Sequence, residues 1–133
     1  MRVSLGQPLT HAPAAEPTVT LPNGHTFRAI VMATAQDRAD GMQWRGGLDP
    51  DQVMLFVFQE ARQHTFHMDN VRVPLDVVWL DKMGKVTWMA GPGDFQGQER
   101  HVRAYCMYAV EAGAGWVKEN GLGVGSRLIL RLP

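Results

Sequence analysis

The apolar residues of this sequence occur in short runs, which predict β-strands more readily than helices. Two runs, Met54–Phe58 and Val73–Asp81, are apolar on both faces, as in strands that are buried on both sides of a sheet. Pro74 fits the start of the second strand, where a ladder N–H is not needed. Asp76 interrupts that run, and a carboxylate inside a core must meet backbone donors, a cation, water or a ligand. We therefore expect Val73–Asp81 to form a central strand that carries a compensated charge.

Alternating patterns and turn residues predict the other elements. Asn23-Gly24 lies between two β-type runs, which is a strong hairpin pattern. Thr34 and Asp37 can form a capping box, so a short helix is expected to start there, and Gly121 is expected to end a second helix. The predicted strands are 18–21, 26–33, 54–58, 65–70, 73–81, 85–90, 105–111 and 127–132, the helices are 35–42 and 112–120, and the connections include 59–64 and 91–103.

The number and spacing of these elements indicate a mainly β (α+β) fold. Roughly seven short strands with two short helices, and no regular β-α-β alternation, favour a compact antiparallel sheet that curls toward a barrel. A length of 133 residues suggests one domain. We assign that β-rich domain to residues 18–133, and we interpret residues 1–17, which are rich in proline, alanine and polar residues, as a flexible N-terminal leader.

Charge and cysteine content narrow the range of functions. Lysine and arginine balance aspartate and glutamate at 13 each, so the sequence gives no electrostatic reason to expect nucleic acid or a membrane surface as a partner. No apolar run approaches the ~20 residues of a membrane span. The chain as given has no signal peptide, which leaves a cytoplasmic location or, if a signal was removed, export. Cys106 is the single cysteine and is interpreted as a small buried hydrophobic residue.

The order of the predicted elements resembles the domain-of-unknown-function family 192. The resemblance covers about residues 26–132, and the phenylalanine-x-methionine-x-asparagine block before proline-leucine-aspartate is fairly specific. The matching positions are Gly41-Met42 followed by Arg45; Met54–Phe58; Phe66, Met68 and Asn70; Val73–Asp81; and Tyr108–Glu111 followed by Gly115, Gly121 and Gly125.

The resemblance implies a small, β-rich bacterial or archaeal domain, often exported, with no established biochemical activity. Four positions depart from the family pattern. His67 stands where the family usually has tryptophan, and Asp69 stands where lysine is common. Val71 replaces a frequent threonine, and Ser126 replaces an aspartate. The first two departures share one face of one strand, so a detailed family site does not transfer directly to this member.

A polar pocket is the candidate site that the sequence favours. Arg45 can offer two parallel N–H groups to Asp76, which would make burial of the carboxylate tolerable, although Asp76 can equally cap backbone donors near Pro74. Trp44 beside Arg45 is typical of a recognition surface. We predict a binding module for an unknown small polar or anionic ligand, or for a protein partner, without a cofactor. The predicted binding residues are Arg45, Asn70, Asp76, Met68 and Trp44.

The alternative function is a hydrolase-like or metal-assisted enzyme that uses His67, Asp69 and Asp76. Imidazole and carboxylate groups are zinc ligands, so His64, His67 and Asp69 are the candidate metal ligands, while solvated polar side chains would give the same pattern. Glu111 also ends an apolar run. If it met Asp76 across the sheet, one carboxyl would have a raised pKa and could act as acid or base. We expect a binding domain in preference to an enzyme.

Overall fold

A curled sheet of seven strands dominates the computed structural model, which describes residues 16–43, 45–95 and 101–133. The mainly β prediction is confirmed, with two short α-helices and one 3-10 turn in these ranges. The strands are β1 (Thr18–Thr20), β2 (Thr26–Met32), β3 (Gln52–His67), β4 (Leu75–Leu80), β5 (Val86–Ala90), β6 (His101–Gly113) and β7 (Ile129–Arg131). The α-helices are α1 (Ala35–Asp40) and α2 (Trp116–Glu119), and the 3-10 turn is Pro92–Phe95.

The strand order is β5-β4-β6-β3-β2-β1-β7, and every pair is antiparallel except β2 with β3. A parallel pair needs a crossover connection, and α1 lies in that connection. An isolated bridge between Lys85 and Arg127 brings the two edges of the sheet together. At this junction a Cβ on Gly84 would lie 2.5 Å from the Leu128 carbonyl oxygen, so only glycine fits. The sheet is therefore a half-barrel, as the strand pattern predicted.

Both faces of the sheet are buried where β3, β4 and β6 meet. Along β3, Met54 and Phe56 point into one hydrophobic cluster, while Val53 and Leu55 point into the other. All six residues of β4 are buried. The two runs that are apolar on both faces are thus interior strands, as expected from the absence of polar alternation. Cys106 is fully buried, and burial raises the pKa of its thiol to about 12.

The predicted polar connection at 59–64 is wrong, because β3 continues through it. The pairing of β3 with β6 shifts between Val57, which opposes Tyr108, and Arg62, which opposes Cys106. This irregularity lets the polar residues between them bulge into solvent while the strand itself persists. The hydrophobic pattern alone predicts a loop at such a bulge, because the side chains of the bulge are polar and solvated.

Two other boundaries differ from the prediction. The helix expected over 112–120 is only α2, because β6 extends to Gly113. The connection expected over 91–103 contains the 3-10 turn, and β6 already begins at His101. The leader expected at residues 1–17 falls almost entirely outside the described residues, and the domain boundaries remain a prediction. No helix in the described ranges is long and apolar enough to cross a bilayer.

Asp76 is compensated by backbone donors at the start of α2. Its side chain is 7% exposed, and Oδ2 accepts hydrogen bonds from the N–H groups of Gly115 (3.1 Å) and Val117 (2.9 Å). Helix starts leave such N–H groups without helical partners. Of the two possibilities left open by the sequence, the structure has backbone capping, with donors from residues 115 and 117. Asp76 therefore ties β4 to α2.

We predict that Asp76→Ala lowers the free energy of unfolding by about 1–3 kcal/mol, since two part-buried N–H groups lose their acceptor. The measurement is urea denaturation. Asp81→Ala is the matched control: Asp81 also accepts two backbone bonds, from Met83 and Lys85, but in an exposed turn where water can replace it. Equal losses in the two variants would contradict a buried capping role for Asp76.

Candidate functional site

A cavity of about 300 Å³ opens between α1, β3 and the neighbouring strand β6. Its wall is mostly apolar, and Phe66 packs edge-on against Phe56 and Phe58, with ring centroids 5.9 and 5.7 Å apart. Polar groups are few, which is the usual composition of a small-molecule site. The apolar lining consists of Ala39, Met42, Phe56, Phe58, Phe66 and Val71, and the polar side chains of the lining are Arg38, Asp40, Gln43, Thr65, His67 and Glu111.

Glu111 is the unusual residue of this cavity. It lies near the end of β6, where its cross-strand neighbours are Met54 on β3 and Val77 on β4. The residue is 4% exposed, and its carboxyl makes no hydrogen bond or ion pair with any residue that the structure describes. Burial raises its pKa to about 8, because an ionised carboxylate is disfavoured without water or a donor. At neutral pH the group is predominantly a neutral carboxylic acid.

Asp76 does not cause this raised pKa. Asp76 opposes Ala112 in the β4–β6 ladder, while Glu111 opposes Val77 one position away. Neighbouring residues on a strand point to opposite faces, so the two carboxyl groups lie on different sides of the sheet. The carboxyl pair that the sequence left open as a possibility therefore does not form, and it cannot be a source of acid–base chemistry. Asp76 instead lines a separate cavity of about 320 Å³ together with Lys118.

Arg38 contributes the positive charge of the cavity. Its Nη1 donates to the carbonyl oxygens of Ala33 (2.5 Å) and Val57 (3.0 Å), and its guanidinium carbon lies 5.0 Å from the centroid of the Phe58 ring. The Val57 carbonyl is available because the β3–β6 ladder is interrupted there. Among the described residues, Arg38 has no carboxylate partner. The sequence analysis missed it, although its spacing of four from Met42 would have indicated a shared helix side.

The histidines of the predicted metal site, His64 and His67, lie in different places. His67 lines the cavity and pairs across the ladder with His101. Asp69 Oδ2 lies 3.4 Å from His101 Nε2 and 3.8 Å from His67 Nδ1, the latter too long for a hydrogen bond. His64 is elsewhere: it stacks on Phe58, and burial lowers its pKa. No group of three residues suited to hold a metal ion occurs in the described parts of the chain.

The residues of the predicted pocket do not converge. Asn70 Nδ2 donates to Gln43 Oε1 at 2.9 Å, at the rim of the cavity, and Arg45 Nε donates to the Gly41 carbonyl at 3.3 Å. Met68 is buried in the core on the same side of the sheet. Asp76 bonds to residues near α2 instead. Trp44 lies outside the described residues, so its role stays a prediction.

Known proteins share this fold and part of this sequence. The family model DUF192, described as "Uncharacterized ACR", matches residues 18–130. A protein of unknown function from Novosphingobium aromaticivorans DSM 12444 is 24% identical, with a TM-score of 0.73 and coverage of 86% of this chain and 83% of its own. A protein from Sinorhizobium meliloti 1021, described as a "putative transcription regulator", is 24% identical, with a TM-score of 0.76 and coverage of 91% and 98%. At this identity the structural likeness establishes the fold alone. No curated protein matches the chain.

We predict that Glu111 makes stability fall as pH rises. The ordinary pKa of a glutamate side chain is 4.5, and the pKa of Glu111 in the folded state is about 8. Between these two pH values the unfolded chain has released a proton that the folded chain keeps. Raising the pH across this window therefore favours unfolding, by up to about 1.4 kcal/mol per pH unit. Urea denaturation of wild type and Glu111→Gln at pH 5, 6.5 and 8 measures the effect.

As the pH increases, the unfolding free energy of wild type should fall relative to that of Glu111→Gln. Glu119→Gln, on the exposed side of α2, is the control and should follow the wild-type profile. Parallel pH profiles for wild type and Glu111→Gln would show that the carboxyl is compensated in the folded state.

Proposed function

This chain belongs to the DUF192 family, and from that premise we propose that it is a binding domain for a small organic anion. The binding site is the cavity between α1, β3 and β6. The observation that carries this proposal is Arg38, a guanidinium group that faces an apolar cavity without a carboxylate partner among the described residues. Such a group donates hydrogen bonds to a carboxylate or another planar anion.

The position of Arg38 is favourable for recognition. Both hydrogen bonds of the Arg38 side chain use Nη1, so Nε and Nη2 have no acceptor among the residues that the structure describes and are left for an external one. The two carbonyl contacts and the Phe58 ring hold the side chain in place before any ligand arrives. Holding a donor in its binding conformation reduces the entropy lost when a ligand binds. Arg38 can therefore bind an anion at the rim without rearranging.

The aromatic wall limits the rest of the ligand. A volume of about 300 Å³ is at the lower end of the roughly 300–1,000 Å³ of known ligand pockets. Phe56, Phe58 and Phe66 offer apolar surface of the size of one ring. We infer a ligand with a single ring or a short branched chain, with its anionic group at the rim.

Binding is favoured over catalysis by the separation of the candidate catalytic residues. The enzyme hypothesis requires His67, Asp69 and Asp76 to act together, yet Asp76 is bonded to the start of α2 on the other face of the sheet. A base must lie within hydrogen-bond distance of the group that it activates. A protein partner, also expected from the sequence, remains a prediction.

The test uses 4-methylphenylacetate as the probe and the neutral 4-methylphenylacetamide as its comparison. We expect the carboxylate to bind wild type with shifts of the Gly41 and Gln43 amide signals in ¹H–¹⁵N spectra. Arg38→Met should weaken binding by about tenfold or more, the value of one charge-assisted contact. Arg45→Met is the matched control, since Arg45 is a nearby exposed arginine that does not line the cavity.

Arg38 also bonds two carbonyls, so a second pair of variants tests the cavity itself. Ala39→Trp places a large side chain at the mouth from an exposed helix position, and Ala35→Trp does the same at a position that does not line the cavity. Binding should be lost only in Ala39→Trp. Three outcomes would each contradict the proposed site: equal affinity for the acid and the amide, loss of binding in Arg45→Met instead of Arg38→Met, or no binding at about 10 mM probe. The absence of binding at about 10 mM means a binding free energy weaker than about 3 kcal/mol.

A further inference from the structure

We propose, on the basis of the function proposed above, that the ligand is a zwitterion whose inner end is a protonated amine bound to the carboxyl group of Glu111. The anionic end of the same molecule would lie at Arg38. The chemical class is thus a small amino acid-like compound, with an apolar body between an amine and an acid. The geometry of Glu111 in the cavity carries this assignment.

The contrast between the two buried carboxyl groups is the first step. Asp76 and Glu111 are the buried charged residues in the described ranges. Asp76 accepts two backbone hydrogen bonds, whereas Glu111 accepts none from the residues that the structure describes. Buried polar groups in native proteins nearly always have a partner, and a carboxyl without one costs stability. A leucine at position 111 would fill the same space at lower cost, so the fold itself does not explain the glutamate.

The second step is that the cavity gives an external partner access to Glu111. The sheet neighbours of Glu111 are Met54 and Val77, and neither carries a side-chain donor. The opening between α1 and β3 is the side on which Glu111 lines free volume. A ligand that fills this volume meets the carboxyl at its inner end and Arg38 at another part of the lining. The partner of Glu111 is therefore a group of the ligand.

The third step concerns the charge of that group. A protonated amine can form a charge-assisted hydrogen bond with a carboxylate, and this bond is about twice as strong as a neutral one. A ligand with an amine alone would be repelled by Arg38, and a carboxylate at its other end removes that repulsion.

The proton balance follows from the state of the empty site. Burial raises the pKa of Glu111 to about 8, so at pH 7 the empty site holds a carboxylic acid. When the ammonium group binds, the carboxyl releases its proton to solvent and the ion pair forms, so about one proton leaves per ligand bound. The other titratable or charged groups that line the cavity are Arg38 and Asp40 on the α1 side and His67 on β3. Their contribution is measured by the Glu111→Gln variant, which retains them.

The experiment compares three probes with one ring and one carboxylate: 4-(aminomethyl)phenylacetate, 4-(hydroxymethyl)phenylacetate and 4-methylphenylacetate. We expect the amine to bind wild type at pH 7 about tenfold or more tightly than either neutral analogue. In Glu111→Gln, which keeps the shape of the side chain, this preference should disappear. Glu60→Gln, at an exposed position on the bulge of β3, is the control and should retain it.

Calorimetry in two buffers of different ionisation enthalpy gives a second readout. Wild type should release close to one proton on binding the amine at pH 7, and Glu111→Gln should release close to none. If 4-methylphenylacetate binds as tightly as the amine, or if Glu111→Gln keeps the amine preference, the assignment of the amine to Glu111 is wrong, while anion binding at Arg38 stands. If none of the three probes binds, the proposed function fails as well.

Discussion

The pairing of β3 with β6 is the interaction on which the rest of the molecule depends. These two long strands lie at the centre of the sheet, and each carries apolar side chains on both faces where they meet. Their ladder is interrupted after Val57, and this interruption exposes the carbonyl that holds Arg38. The same ladder, through Glu111, forms one wall of the cavity. One pairing thus supplies the core, the position of the cation and the position of the buried acid.

The register of β4 against β6 places the two buried acidic residues on opposite faces of the sheet. Asp76 and Glu111 are offset by one position in that ladder, and the pleat directs one to α2 and the other to the cavity. A shift of β4 by one residue would turn its side chains over, while Glu111 would keep its face through the pairing of β6 with β3. Asp76 would then lie on the same face as Glu111 and lose its contacts with the backbone of α2. The fold accepts two acidic residues in its interior because the register gives each a different environment.

The sequence alone predicts the strands better than the site. The apolar runs at Met54–Phe58 and Val73–Asp81 and the capping box at Thr34 correspond to local features, and local features are readable from residue order. Arg38 and Glu111 are different, because their meeting across one cavity depends on how α1 packs over distant strands. The bulge in β3 was hidden for a related reason: a solvated excursion of a strand has the composition of a loop. Non-local register therefore limits what the pattern can reveal.

The pairing of β1 with β7 has a consequence for synthesis in the cell. These strands lie close to the two ends of the described chain, so β1 leaves the ribosome more than a hundred residues before its partner. Until then its outer edge is unpaired, and an exposed edge can associate with other nascent chains. The sheet is complete only after β7 has emerged and paired with β1. A stalled or truncated chain would keep that edge open and would be a natural substrate for chaperones.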